Sequence, residues 1–132
     1  MSAEVTIVGG GPAGLAAAAA AADAGLRPTL VDEGHALGGQ YLREPQTPAA
    51  RSLEPAPGSA RELSRLKRRA IGSPLVEAIA FDAAPDGVRV ARDGTVTTMP
   101  LPVILAPGAT ERVVPIPGWT LPGVVTDRKS VV

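Results

Sequence analysis

Val5-Thr6-Ile7-Val8 is a short β-prone run that meets three consecutive glycines, Gly9-Gly10-Gly11, and then gives way to alanine and leucine, strong helix formers, as far as Ala24. Strand, tight turn and helix are predicted in that order. Gly25 stands where a helix end favours a left-handed residue, and Thr29-Leu30-Val31 then reads as a second buried strand ending in Asp32-Glu33. The chain up to Glu33 therefore predicts a βαβ unit.

Downstream the pattern changes. Pro45, Pro48, Pro55 and Pro57 each remove a backbone donor and fix φ, so 44–58 is predicted to be a proline-rich surface loop. Ser59 with Glu62 three residues later matches a capping box, and Leu63, Leu66 and Ala70 recur at helical spacing among Arg61, Arg65, Lys67, Arg68 and Arg69. That predicts a short amphipathic helix over about 60–70, its basic residues forming a solvated face. Leu75 to Phe81, Val88 to Arg92 and Thr95 to Met99 are extended runs separated by Asp86-Gly87 and Asp93-Gly94, which are turn signals, and they predict a small β-meander. Leu101 to Ala106 is nearly all apolar and ends at Pro107-Gly108-Ala109. It is expected to return to the central parallel sheet as a strand covered on both faces. The expected class is α/β.

Composition narrows the chemistry. A chain of 132 residues makes one domain of ordinary size. Thirteen basic and thirteen acidic residues cancel, so no overall field draws nucleic acid. With no cysteine the sequence offers neither disulfide, thiolate-bound metal nor redox dithiol, and the single histidine, His35, makes no metal site alone and reads as a polar loop residue. The apolar N-terminus lacks a basic n-region and carries Glu4 and Asp23, unlike a signal peptide. The run from Leu15 to Ala22 falls well short of the ~20 residues of a membrane span. No transmembrane segment and a cytoplasmic location are expected.

Gly9, Gly11 and Gly14 satisfy G-x-G-x-x-G, with Pro12 and Ala13 between the last two. The first glycine allows the tight turn, the second lets backbone approach a pyrophosphate, and the third lets helix and strand pack closely. Free N–H groups at the helix start, where the dipole is positive, suit phosphate. Asp32, at the end of the second strand, is the candidate acceptor for ribose hydroxyls, with Glu33 as its neighbour. An acid here disfavours a 2′-phosphate, and thus NADP. The arrangement predicts a Rossmann-like dinucleotide site and leaves FAD and NAD both open.

The loop Gly34-His35-Ala36-Leu37-Gly38-Gly39-Gln40-Tyr41 resembles the FAD-side loop of the two-dinucleotide-binding flavoproteins. Val103-Ile104-Leu105-Ala106-Pro107-Gly108-Ala109 is similar to their second flavin signature, with Pro107 in place of the usual threonine. Together with the stretch from Glu111 to Thr126, these segments resemble the FAD subunits of hydrogen cyanide synthase, octopine and nopaline oxidase, and hydroxyproline or proline dehydrogenase, within the FAD-dependent pyridine nucleotide-disulfide oxidoreductases. The resemblance implies FAD as cofactor, with Gly9, Gly11, Pro12, Ala13, Gly14, Asp32, Glu33, Gly39, Gln40, Ala106 and Gly108 along it. It also implies an oxidoreductase acting on a small amine or amino acid, assembled with other dehydrogenase subunits. Residues 1–126 would be the N-terminal part of an FAD/NAD(P)-binding domain, incomplete without later strands. No residue here presents itself as a catalytic acid, base or nucleophile. Asp127 to Val132 break the resemblance and match one translated frame of a common sequencing adapter, so a non-native tail is expected. Two other readings stay open: a truncated product without activity, and an NAD-binding module.

Overall fold

The computed structural model describes residues 3–40, 59–69, 74–109, 112 and 114–124. The predicted loop 44–58 and the suspected tail 127–132 lie outside the described residues, as do Ala70 and the side chains of Ser59 and Leu63.

The β-prone run becomes strand β1 (Glu4–Val8), the alanine-rich stretch becomes helix α1 (Pro12–Asp23), and strand β2 (Arg27–Val31) follows. β1 and β2 pair in parallel from Glu4↔Arg27 to Val8↔Val31, completing the expected βαβ unit. Helix α1 stops as its sequence requires. Gly25 has φ +80°, its N–H donates to the Ala22 carbonyl, and the Leu26 N–H reaches back to Ala21, a closed Schellman end that satisfies the last carbonyls. The small side chains of Gly14, Ala18, Ala19 and Ala21 let α1 lie close on the sheet, where Leu15 and Ala18 meet Val5, Ile7 and Leu30.

Helix α2 (Ser59–Arg69) forms over the predicted segment, and its Leu66 closes the same core while Arg69 pairs with Asp23 of α1. The meander is β3 (Ile79–Ala84), β4 (Gly87–Arg92) and β5 (Thr95–Met99), antiparallel in that order. Asp93 and Gly94 both have positive φ, the two-residue turn whose twist matches a hairpin. Val88 and Val90 of β4 point inward and join Val31 and Ala78 in a second apolar cluster. Strand β6 (Val103–Leu105) returns to pair with β1 in parallel, giving a sheet of order β2-β1-β6. Thr6, in the middle strand, is fully buried and satisfied: its hydroxyl donates to the Pro100 carbonyl at 2.7 Å. The class is α/β, with a parallel sheet and a separate meander.

Two expectations need correction. The first meander strand begins at Ile79, not Leu75, because Glu77 adopts φ +55° and breaks the extended run. Leu75 instead forms a parallel bridge with Val31 on the outer side of β2. The strand expected over 101–106 shrinks to three residues and is not covered on both faces by the described residues. It is the last strand in its sheet, and Leu105 is 69% exposed. Among the described residues, no helix is long and apolar enough to cross a membrane.

Candidate functional site

The glycine turn sits at the carboxyl ends of β1 and β2, where open parallel sheets place their ligands. Gly9 leaves β1 with φ +105°, and a side chain there would collide with the Ala106 carbonyl, 2.0 Å from an added Cβ. Ala106 is held in turn by its N–H on the Val8 carbonyl at 2.7 Å. An added Cβ on Gly14 would lie 1.7 Å from the Gly9 carbonyl oxygen, which is the close packing of helix on turn that the third glycine is expected to permit. The segment after β6 therefore forms one wall of the turn.

The other wall is the loop after β2. The Gly38 N–H donates to the Gly10 carbonyl at 2.8 Å, and Gly39, at φ +59°, comes so near that a Cβ on it would stand 2.9 Å from the Gly11 Cα. Asp32 fastens this loop to the turn: one carboxylate oxygen accepts the Gly10 N–H at 2.5 Å, and the other accepts the Gly34 N–H at 2.8 Å. A carboxylate offers about four lone-pair positions, so both oxygens keep acceptor capacity beyond these bonds. Asp32 is only partly buried, which leaves that capacity reachable.

Helix α1 opens into this space without a cap. Gly11 is its N-cap and makes no side-chain bond, Pro12 occupies the first turn, and no acid follows there. The first described bond into the helix is Leu15 N–H to the Gly11 carbonyl at 2.9 Å, so the Ala13 and Gly14 N–H groups have no backbone partner among the described residues. These donors, at the positive end of the helix, can hold an anion.

Of the residues singled out in the sequence, Gly9, Gly11, Gly14, Asp32, Gly39 and Ala106 are thus gathered around the turn, with Pro12 at the rim. Ala13, Glu33, Gln40 and Gly108 are exposed around it, and Gly108 has φ +72° with open space where a side chain would point. Two further contributors, Gly10 and Gly34, are not among the residues singled out. A Cβ on Gly10 would meet Leu37 at 2.6 Å and Asp32 at 3.0 Å, and one on Gly34 would stand 2.9 Å from the Asp32 carboxylate. The unbroken triple glycine is the signal in the sequence that could have found the first of them.

The chain is 36% identical to hydrogen cyanide synthase subunit HcnB of Pseudomonas protegens, over 94% of this chain and 28% of that protein. It is 34% identical to an opine oxidase subunit of Agrobacterium tumefaciens, over 93% of this chain and 27% of that protein. It therefore spans little more than a quarter of the length of these relatives. L-proline dehydrogenase from P. horikoshii has the same fold over 86% of this chain and 24% of its own, with a TM-score of 0.66 at 24% identity. The sequence pattern of the pyridine nucleotide-disulphide oxidoreductases matches residues 3–130, almost end to end, and the chain belongs to that family.

Proposed function

We propose that this chain supplies the ADP half of an FAD site in an oxidoreductase subunit that works on an amine or amino acid alongside other dehydrogenase subunits. The carrying observation is the side-chain-free turn Gly9-Gly10-Gly11, tied to Asp32 and opening on an uncapped helix start. In this reading the Ala13 and Gly14 N–H groups receive the pyrophosphate, and Asp32, with Glu33 beside it, receives the ribose hydroxyls. Gly39, Gln40, Ala106 and Gly108 line the path toward the ring. Residues 1–126 are then the N-terminal part of the FAD/NAD(P)-binding domain. Bound flavin would carry a hydride or electrons between substrate and acceptor, and the residues here position it and set its electrostatic surroundings. The names of the relatives, which are subunits of a cyanide synthase and of an opine oxidase, support a multi-subunit enzyme.

The test is the absorption spectrum of the purified 132-residue chain after incubation with FAD and gel filtration. Flavin bands co-eluting at one per chain are expected. A folded chain that emerges colourless yet retains NAD in the same experiment would replace the flavin reading with a nicotinamide one.

A further inference from the structure

Helix α2 concentrates a charge that the chain as a whole lacks. Arg61, Arg65, Lys67, Arg68 and Arg69 share its eleven residues with one acid, Glu62, while the formal charge of the protein is zero. One side of the helix is anchored by buried Leu66 and by the Arg69–Asp23 pair. Arg61, Arg65 and Arg68 follow one another at i, i+4 and i+7, a single stripe about 10 Å long. With Ser64 they outline a shallow open depression, and all four side chains are exposed. Arg65 approaches Glu62 only at 3.8 Å, and no carboxylate among the described residues pairs with Arg61 or Arg68. Like charges at these spacings oppose helix formation, and an acidic partner relieves the repulsion.

We infer that this stripe docks an acidic segment of a partner protein, carboxylates seated against its three guanidinium groups. Arginine's planar fork pairs with carboxylates in a bidentate manner that lysine cannot match. A protein partner fits better than a nucleic acid for two reasons. The chain is neutral overall, so it has no long-range pull on a polyanion, and α2 carries no aromatic residue on which a base could stack. The inference rests on the multi-subunit reading given above and names the surface that serves it.

The experiment titrates the 132-residue chain, by fluorescence anisotropy, with a labelled helical peptide bearing Glu at i, i+4 and i+7, and in parallel with a single-stranded oligonucleotide of equal charge. The peptide is expected to bind and to weaken as salt rises. Reversing the stripe (Arg61→Glu, Arg65→Glu, Arg68→Glu together) is expected to lower its affinity at least about tenfold, whereas Arg112→Glu, an exposed charge elsewhere, leaves it unchanged. Should the triple variant fail to fold, Arg68→Glu alone is expected to cost about threefold. Equal affinity of variant and wild type overturns the inference, as does no peptide binding at low salt or a preference for the oligonucleotide. Flavin retention read on the same samples separates this outcome from failure of the FAD reading, because the stripe touches none of the dinucleotide residues.

Discussion

A single methyl group decides whether the turn closes. Gly14→Ala places its Cβ against the Gly9 carbonyl, a backbone atom with no rotamer by which to yield, and is expected to cost at least about 2 kcal/mol. A urea melt of the variant checks it, and a midpoint equal to wild type would show that the helix can lift off the turn freely. At Asp32 the substitution to Asn keeps the shape but confronts the Gly10 or Gly34 N–H with another donor. A loss of about 1–2 kcal/mol and of FAD retention is expected from the same melt and from gel filtration. Away from the site, the Arg89 guanidinium, hydrogen-bonded to Asp86, holds that carboxyl below its ordinary 3.8. A depressed folded value means the contribution is present above 3.8 and fades as pH falls through the lower folded value. The melting temperatures of wild type and Asp86→Asn are therefore expected to differ slightly at pH 7 and to converge below pH 3.8, and a gap that persists in acid argues against the pairing. Asp32 is legible in the sequence as an acid at a strand end, but its Gly10 partner is not. The Gly34 bond is a local turn two residues on, whereas the Gly10 bond, 22 positions back, depends on β1 lying beside β2, and spacing along the chain does not encode that approach.

At the scale of elements, the long periodic segments are the readable ones. The βαβ unit, α2 and the Asp93-Gly94 hairpin appear where the apolar spacing and turn residues put them, because each is specified by contacts within a short stretch. Leu75 reads as meander in the sequence because a single parallel bridge leaves no period there, and the φ of Glu77 that separates the two pieces has no side-chain signature. For α2 the division of labour between its faces gives a sharp expectation. Leu66→Ala opens a hole between α1 and α2 and should cost about 2–3 kcal/mol, while Arg68→Ala, exposed, should stay within about 0.5 kcal/mol. Equal effects in denaturant titrations would mean that the helix is held by charge rather than by packing.

Across the whole molecule, the apolar run 101–106 shows why composition alone misleads about burial. The same residues describe a strand in the middle of a sheet and one at its margin, and only the sheet order says which. Here β6 is the margin, with Ile104 and Leu105 exposed beside an unpaired backbone edge among the described residues. Such an edge invites pairing between copies. Leu105→Lys is therefore expected to raise the soluble, monodisperse fraction of the 132-residue chain in light scattering with little change in melting temperature. No gain in dispersity would place the adhesive surface elsewhere.

The pairing of β1 with β6 joins residues that are far apart in the chain: Thr6 and Pro100, linked by one hydrogen bond, are 94 positions apart. On a ribosome the first half of the cleft, up to Gly39, emerges and can close on itself through local contacts. Its opposite wall, Ala106, does not yet exist. If the cleft holds a dinucleotide as proposed, a cofactor arriving early finds a half-open clasp, and lasting retention is expected only after the chain has been made through Ala106.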